Sequence, residues 1–196
     1  MIIGLDLDDT ITNSSDIFIK YAKEYNDINN IIYNINTNEF NQKKAFGWNK
    51  EQQNEFSNLY LEKILLEATP KKNAVEVINK LYKNGNKIII ITARQNNENI
   101  DMYELTKKWL DKYNIKYNEL IIESCNKRID CIKNGVNLFV DDNYKNCVDI
   151  YNNLKIPVLM FSTNYNKSYK YIERVNNWNE IDKIITKIIE KRNANE

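Results

Sequence analysis

The 196-residue chain is long enough for one compact domain with a modest insertion, and its 42% apolar content is typical of a globular protein. The net charge is only +1, and the 28 basic residues are interspersed with the 27 acidic ones. Because polynucleotide-binding proteins usually have a basic excess or a basic stripe, we do not expect a polynucleotide partner. The chain contains no histidine, which excludes histidine-based catalytic triads, histidine-ligated zinc and histidine phosphorelays.

The cysteines Cys125, Cys131 and Cys147 are too few and too irregularly spaced for a disulfide framework or a thiolate zinc site. No stretch approaches the roughly 20 consecutive apolar residues of a membrane helix. The opening MIIGLDLDDT lacks the basic start and small-residue cleavage site of a signal peptide. We therefore expect a cytoplasmic protein with reduced thiols and no membrane partner. The sequence leaves the oligomeric state open, and a homodimer is compatible with it.

The first predicted element is a strand over Ile2–Leu5, because consecutive apolar residues suit a strand that is buried on both faces of a parallel sheet. A helix follows it, with Ser14 or Ser15 as the predicted cap. In this part of the chain, the apolar spacing predicts a helix over 17–25 and a second helix over 56–64, with an irregular Asn-rich segment over 26–49.

From residue 70 onward, apolar runs typical of strands alternate with helical patterns. The predicted strands cover 87–91, 120–122, 138–140 and 158–161. The predicted helices cover 74–82, 98–113, 128–134, a segment ending near 154, and 181–188. This alternation predicts an α/β fold with a Rossmann-like parallel sheet and helices on both of its faces.

Polar residues directly follow four of the predicted strands. In chain order they are residues 6–10, residues 92–94, the region of Lys127 and residues 141–143. Because ligands of parallel α/β sheets bind beyond the carboxyl ends of the strands, we expect these residues to converge at one edge of the sheet.

Four aspartates are expected at this edge, with Asp6 and Asp8 after the first strand and Asp141 and Asp142 after a later one. Such crowding of negative charge is costly unless a cation neutralises it, and oxygen ligands suit a hard ion. The sequence therefore predicts a Mg²⁺ site formed by these four residues. Asp-rich turns also cap helices and end strands, but two such turns, each directly after an apolar run, favour the metal site. Which of Asp141 and Asp142 binds the metal directly is left open.

Four segments resemble the motifs of the haloacid dehalogenase-like (HAD) superfamily, in the right order and over the whole chain. They are Asp6-Leu7-Asp8-Asp9-Thr10 for the first motif, Ile88 to Ile91 with Thr92 for the second, Lys127 for the third, and Leu138 to Val140 with Asp141-Asp142 for the fourth. Dehalogenases of this superfamily lack a second aspartate at the position of Asp8, whereas phosphatases and phosphomutases have one. The resemblance therefore implies phosphoryl transfer.

The same resemblance implies a role for each motif residue. Asp6 is implied as the nucleophile that forms an aspartyl-phosphate. Asp8 is implied as the general acid to the leaving oxygen, then as the general base for water, and as a metal ligand through its backbone carbonyl. Thr92, Ala93 and Lys127 are implied as phosphate-binding residues. The chemistry is consistent, because a carboxylate is a weak nucleophile and needs Mg²⁺ and donors around the phosphoryl oxygens.

Two lysines compete for the phosphate-binding role. We favour Lys127, because Ile129 and Ile132 fit a buried helix face that leaves Lys127 at the helix start, where the N-terminus also attracts phosphate. Lys133 lies within the predicted helix and is closer in sequence to Asp141. For either lysine, the commonest alternative is a solvated surface charge.

The segment after the first motif resembles the helical cap that many superfamily members insert there. We expect a catalytic core formed by 1–12 and 70–196, and a cap formed by 13–69. The aromatic residues available in the cap for stacking on a base or sugar are Phe18, Tyr21, Phe46, Trp48 and Tyr60. Those on the two helices fit the cap's own core, whereas Phe46 and Trp48 lie in a loop-like segment and are the stronger candidates for substrate contact.

The second half of the chain also resembles 5′-nucleotidases that are related to the cytosolic and mitochondrial deoxyribonucleotidases. The matching segments are Thr92-Ala93-Arg94, Tyr103 to Thr106 with Lys108-Trp109-Leu110, and Leu138 to Asn143. The chain departs from the deoxyribonucleotidases at Asp9-Thr10, where those enzymes have Gly-Val. Arg94 is a candidate contact for the substrate phosphate or a partner for a carboxylate of the site.

We predict a Mg²⁺-dependent phosphomonoester hydrolase whose partner is a small phosphorylated substrate, with a nucleoside 5′-monophosphate as the first expectation. The enzymatic alternatives are a sugar-phosphate phosphatase or phosphomutase, and a polynucleotide 3′-phosphatase, which the near-neutral charge disfavours. A non-catalytic binding or regulatory module with the same fold would be expected to lack Asp6 or the aspartate pair, and both are present.

Overall fold

The computed structural model describes residues 1–36, 38–39 and 41–194, without the side chains of residues 42, 43 and 193. Residues 37 and 40, which belong to the predicted cap, lie outside the described residues, as do 195 and 196. The strands are β1 (Ile2–Leu5), β2 (Lys87–Ile91), β3 (Glu119–Ile121), β4 (Leu138–Asp141), β5 (Val158–Phe161) and β6 (Glu173–Val175). The α-helices are α1 (Ser14–Ile28), α2 (Gln42–Ala45), α3 (Lys50–Glu67), α4 (Ala74–Lys83), α5 (Met102–Lys112), α6 (Lys127–Lys133), α7 (Tyr144–Leu154) and α8 (Trp178–Asn193).

The six strands form one sheet in the order β3-β2-β1-β4-β5-β6, and every neighbouring pair is parallel. The strand β1 lies between β2 and β4, with Leu5 in register with Ile90 on one side and Val140 on the other. The carboxyl ends of these three strands therefore meet at one edge. The predicted parallel α/β fold is confirmed.

Helices cover both faces of the sheet. Buried residues of α4, α5 and α8 pack with Ile3 and Leu5 on one face, whereas α6 and α7 pack against Phe139 and Met160 on the other. The last four residues of β2 are fully buried, which explains their continuous run of isoleucine. Gly4 faces Phe139 so closely that a Cβ atom at this position would lie 2.8 Å from the phenylalanine ring.

The helices α1 and α3 form a second hydrophobic cluster with the segment that joins them. Its aromatic members are Phe18, Tyr21, Tyr25, Phe46, Trp48, Phe56 and Tyr60. The Trp48 indole donates a hydrogen bond to Asn26 Oδ1 at 2.7 Å, and its ring lies 5.1 Å from that of Phe46. Both rings are buried, so the loop-like segment that contains them is folded onto the helices. The proposed limits of the cap, 13 and 69, stay a prediction.

Three local features differ from the predictions. The strand β6 has no predicted counterpart, because only its last residue, Val175, is buried and the alternation is too short to detect. The helix α5 begins at Met102 rather than near residue 98, since Asp101 caps it and accepts the Glu104 amide at 3.0 Å. The cap position of α1 is Asn13 rather than a serine. Within the described part of the chain, no helix combines the length and apolarity needed to cross a bilayer.

Candidate active site

The chain leaves β1 directly into a buried acidic loop. The Asp6 amide donates to the carbonyl of Val140 at 2.9 Å, so β1 and β4 stay paired up to the point where the aspartates begin. Asp6, Asp9 and Thr10 are all buried, although each carries a polar side chain. Buried polar groups need partners, so the contacts of this loop define the site.

Lys127 occupies the first position of α6, as predicted, and its side chain is only 5% exposed. Its ammonium donates to Asp141 Oδ2 at 2.9 Å and makes a short hydrogen bond to Asp6 Oδ1. Burial disfavours its charged form, but Asp141 and Asp6 outweigh this and raise the pKa of Lys127 above 10.5. Lys133, the rival candidate, is exposed at the other end of the helix.

The predicted buried helix face through Ile129 and Ile132 is wrong. Ile129 and Ile132 do not form a buried face, since they are 43% and 56% exposed. The buried residues of α6 are Lys127 and Cys131, one turn apart. Lys127 therefore points inward because it is on the same helix face as Cys131, with two carboxylates to receive its charge.

Carboxylate oxygens of Asp6, Asp141 and Asp142 lie within 4.8 Å of one another, and all three residues are buried. Burial raises the pKa of Asp6 from 3.8 to about 7, with Lys127 opposing the shift and Asp141 adding to it. Burial and the charges of Asp6 and Asp141 also raise the pKa of Asp142 well above 3.8. One ammonium does not balance three clustered carboxylates. The all-oxygen donor set and the excess negative charge fit a hard divalent cation such as Mg²⁺.

The two aspartates at the end of β4 have different partners. Asp141 accepts hydrogen bonds from Lys127, from Asn146 Nδ2 at 3.0 Å and from the Asn143 amide at 2.7 Å. Asp142 accepts a hydrogen bond from Thr10 Oγ1 at 3.2 Å and a short one from Tyr165, both neutral hydroxyl groups. The negative charge of Asp141 is thus compensated by the Lys127 ammonium and two N–H groups. Among the residues that the structure describes, no cationic side chain donates a hydrogen bond to the Asp142 carboxylate, so its negative charge is compensated less.

Arg94 follows β2 and faces Asp8 across the site. Its Nε and Nη2 atoms donate to the two carboxylate oxygens of Asp8 at 2.9 and 2.8 Å, and Nη1 donates to Thr106 Oγ1 at 3.1 Å. The Arg94 side chain is 4% exposed, and that of Asp8 is 36% exposed. Of the two roles that the sequence left open for Arg94, the structure shows the ion pair with a carboxylate of the site.

Thr92 and Ala93 connect β2 to Arg94 at the same edge. Thr92 extends the pairing with β3 through its amide, which donates to the carbonyl of Ile121 at 2.9 Å. Its hydroxyl oxygen accepts a hydrogen bond from the Arg94 amide at 3.3 Å. The hydroxyl proton is therefore available for a hydrogen bond to a ligand in the cavity. Asp6, Thr92, Ala93 and Lys127 thus lie around one cavity of about 660 Å³, a size typical of small-molecule sites.

Apolar residues also line this cavity. They are Phe18, Leu61, Ile64 and Leu65 from α1 and α3, and Met102 from α5. Of the five aromatic residues named from the sequence, Phe18 lines the cavity that contains the acidic cluster, and the other four do not. Tyr60 packs in the aromatic cluster of α1 and α3. Phe46 lines a neighbouring pocket, Trp48 lies in the aromatic cluster, and the Tyr21 hydroxyl donates to Glu67 Oε1 at 2.6 Å.

Sequence reasoning did not identify Asp9 and Tyr165 as parts of the site. Asp9 accepts hydrogen bonds from Ser14 and Ser15 at the start of α1, and it lies 3.1 Å from the Tyr165 hydroxyl. Tyr165 belongs to a 3-10 turn, Asn164–Asn166, that follows β5. The one available signal was that polar residues follow this fifth strand as well.

A family model described as "5′ nucleotidase, deoxy (Pyrimidine), cytosolic type C protein" matches residues 1–192. The chain belongs to this nucleotidase family. The resemblance to the HAD superfamily and to 5′-nucleotidases is thereby confirmed, and the protein is a hydrolase of the HAD phosphatase and nucleotidase group.

Two relatives match this chain over nearly its whole length. The nucleotidase CA_C3379 of Clostridium acetobutylicum is 29% identical over 195 residues, covering 98% of this chain and 97% of that protein. YqfW of Bacillus subtilis, also named as a nucleotidase, is 30% identical over 192 residues, covering 91% and 90%.

Solved structures share the fold at low sequence identity. The HAD-like hydrolase SP0104 of Streptococcus pneumoniae superposes with a TM-score of 0.68 at 11% identity, over 92% of this chain and 95% of that one. A predicted phosphatase from Clostridium acetobutylicum gives the same TM-score at 12% identity, over 95% and 98%.

Proposed function

We propose that this protein is a Mg²⁺-dependent phosphomonoesterase that transfers a phosphoryl group to Asp6, and that its substrate is a nucleoside 5′-monophosphate. The observation that carries the proposal is the arrangement around Asp6. Its buried carboxylate lies beside the Lys127 ammonium and two further carboxylates, in a cavity that also contains Thr92. A nucleophile, a phosphate-binding cation and a metal-binding donor set therefore converge on one point.

In the proposed metal site, Asp6 and Asp142 supply carboxylate oxygens and Asp8 supplies its backbone carbonyl. Asp142 is preferred over Asp141 as the direct ligand, because Asp141 already accepts hydrogen bonds from the Lys127 ammonium and two N–H groups, whereas the donors to Asp142 are two neutral hydroxyl groups. When bound, Mg²⁺ supplies positive charge against the phosphoryl oxygens and the attacking carboxylate.

The first chemical step forms a bond between an oxygen of Asp6 and phosphorus and breaks the bond between phosphorus and the leaving oxygen. Asp8 donates a proton to that oxygen, so the product leaves as a neutral alcohol. In the second step, Asp8 takes a proton from water, the water oxygen bonds to phosphorus, and the Asp6 carboxylate is released with phosphate. Lys127 and the Thr92 hydroxyl hold the phosphoryl oxygens through both steps.

We further propose that residues 13–69 act as a cap that covers the leaving group. The support is that Phe18, Ile64 and Leu65 from this segment line the same cavity as the acidic cluster. An apolar wall excludes water from the reacting atoms and offers a ring for a base or sugar to pack against. The names of the family model and of the two relatives support a nucleotide as the substrate.

The test is phosphate release from nucleoside monophosphates, sugar phosphates and an aryl phosphate, with Mg²⁺ and with EDTA. We expect metal-dependent release that is fastest with nucleotides. Asp6→Asn is expected to lower turnover by at least about a thousandfold while retaining the circular dichroism spectrum. Asp149→Asn, which changes a carboxylate paired with Arg128 outside the cavity, is the matched control and should be close to wild type.

Each of the following outcomes would contradict a different part of the proposal. Release only from sugar phosphates would reject the nucleotide but keep the mechanism. Turnover that needs a bisphosphate activator would indicate a phosphomutase. Near-normal activity of Asp6→Asn would reject Asp6 as the nucleophile, and no release from any substrate would indicate a binding module.

A further inference from the structure

One hydrogen-bond donor to Asp142, Tyr165, lies outside the four sequence motifs. The Tyr165 hydroxyl donates a short hydrogen bond to Asp142 Oδ2 and lies 3.1 Å from Asp9 Oδ2. Tyr165 is therefore placed between two buried carboxylates, one at the end of β4 and one in the loop after β1.

The turn that carries Tyr165 is fixed by its own hydrogen bonds. Asn166 Nδ2 donates to the backbone carbonyls of Asp142 and Phe161, at 2.8 Å each. Arg174 Nη1 donates to Asn166 Oδ1 at 2.7 Å, and Nη2 donates to the Asn166 carbonyl at 2.7 Å. Because the turn is fixed to the backbone of Asp142 itself, the hydroxyl of Tyr165 has a defined position relative to that carboxylate.

Asp9 connects the same hydroxyl to helix α1. Its backbone has a φ of 59°, a left-handed conformation that aspartate tolerates better than most residues. In this conformation its carboxylate accepts the Ser15 amide at 2.9 Å and the hydroxyl groups of Ser14 and Ser15. Asp9 thereby satisfies an amide at the start of α1, where the side chain of the cap residue Asn13 makes no hydrogen bond to the helix.

A continuous path of polar contacts therefore runs from Asp142 through the Tyr165 hydroxyl and Asp9 to the first turn of α1. The same helix carries Phe18, which lines the cavity beside Asp6. The Tyr165 hydroxyl is therefore in contact both with Asp142 and with Asp9, which holds the first turn of α1.

We propose that Tyr165 is a positioning residue that orients Asp142 for metal binding and couples the bound metal to the start of α1. The inference rests on the proposed role of Asp142 as a metal ligand. Hydrogen bonds to a ligating carboxylate fix its orientation, and losing one typically lowers metal affinity roughly 10- to 100-fold. If Tyr165 only fills space, its ring is enough and the hydroxyl has no effect on the metal.

The first experiment is calorimetric titration of Mg²⁺ into the wild-type protein, Tyr165→Phe and Tyr171→Phe. The control tyrosine also donates a hydrogen bond from its hydroxyl, to Asn152 Oδ1 at 3.1 Å, but it is 60% exposed and outside the site. We expect Tyr165→Phe to bind Mg²⁺ at least about tenfold more weakly and Tyr171→Phe to match the wild type. Equal affinity of Tyr165→Phe and wild type overturns the inference, whereas a wild type that binds no Mg²⁺ overturns the proposed function.

The second experiment tests the coupling between the bound metal and the start of α1. It measures hydrogen exchange of the Ser15 amide with and without saturating Mg²⁺. In the wild-type protein, Mg²⁺ is expected to slow this exchange, because a fixed Asp142 fixes Tyr165 and Asp9 in turn. In Tyr165→Phe, saturating Mg²⁺ should leave the exchange unchanged. If Mg²⁺ leaves Ser15 exchange unchanged in the wild type, the coupling is rejected, and this result does not depend on how the variant folds.

Discussion

Arg94 binds both carboxylate oxygens of Asp8, through Nε at 2.9 Å and Nη2 at 2.8 Å. Burial alone would raise the pKa of Asp8, but the charge and the hydrogen bonds of Arg94 outweigh it and hold that pKa below 3.8. Before substrate binds, Asp8 is therefore ionised, which is the form required of a base. To act as the acid it must gain a proton, so Arg94 controls the pH range of the first step.

Replacing Arg94 with methionine is expected to raise the pKa of Asp8. It also removes the two hydrogen bonds that hold the Asp8 carboxylate in one orientation. The value of kcat/KM at neutral pH should fall roughly 10- to 100-fold, since two hydrogen bonds to an essential group are lost. The alkaline limb of the pH–rate profile should move to higher pH, because Asp8 in the variant stays protonated up to a higher pH. Steady-state rates across pH test this, with Arg128→Met, which breaks a surface pair with Asp149, as the control. An unchanged profile would show that Arg94 does not set the protonation of Asp8.

Metal-free protein should become less stable as pH rises from about 4 to about 7. Burial raises the pKa of Asp6 to about 7, so in this range the folded state binds a proton more tightly than the unfolded state. The free energy of unfolding should fall by roughly 2–4 kcal/mol, at about 1.4 kcal/mol per pH unit. Urea unfolding in EDTA at about pH 5 and about pH 8 measures the change.

Mg²⁺ should reverse this dependence, because it binds the ionised carboxylates and therefore stabilises the protein more at about pH 8 than at about pH 5. Asp6→Asn removes one of the two carboxyl groups whose pKa is raised and should reduce the metal-free slope, while Asp142 maintains the rest of it. If that variant keeps the wild-type slope, the pH dependence does not arise from Asp6.

Gly4→Ala should destabilise the fold by about 1–3 kcal/mol without changing the chemistry of the site. Gly4 is the register partner of Phe139, and an added Cβ would lie 2.8 Å from that ring and 3.1 Å from Val136 Cγ1. A double-mutant cycle with Phe139→Leu measured by urea unfolding tests the cause. The two substitutions should cost less together than the sum of each alone, and simple additivity would exclude the contact as the reason.

Phe18→Leu and Trp48→Phe should have different effects, although both rings belong to the same aromatic cluster. Phe18 also lines the cavity beside Asp6, so its loss should raise the KM for nucleoside monophosphates several-fold. Trp48 donates to Asn26 Oδ1 at 2.7 Å, and Trp48→Phe should lower Tm by a few degrees with nearly unchanged kinetics. A larger KM effect for Trp48→Phe than for Phe18→Leu would contradict this division of roles.

Much of the site could be predicted because its residues follow strands that the sequence marks clearly. The buried runs of β1, β2 and β4 place Asp6, Thr92 and Asp141 at adjacent strand ends, and parallel pairing brings them together. The preference for Lys127 over Lys133 as the phosphate-binding lysine was based on a wrong pattern, since the exposed isoleucines of α6 do not define its buried face. The helix orientation there is set by contact with the sheet, which local periodicity does not encode in a seven-residue helix.

The sequence by itself determined the fold class, the absence of histidine chemistry and the chain positions of the aspartates, because these depend on local apolar runs and residue identity. Only the tertiary structure decided that the Lys127 ammonium lies between Asp6 and Asp141, that Arg94 pairs with Asp8, and that Tyr165 contacts both Asp142 and Asp9. The contacts of Arg94 and Tyr165 join residues 86, 23 and 156 positions apart in the chain. They depend on how the loops pack after the strands have paired, and no spacing rule in the sequence fixes that packing.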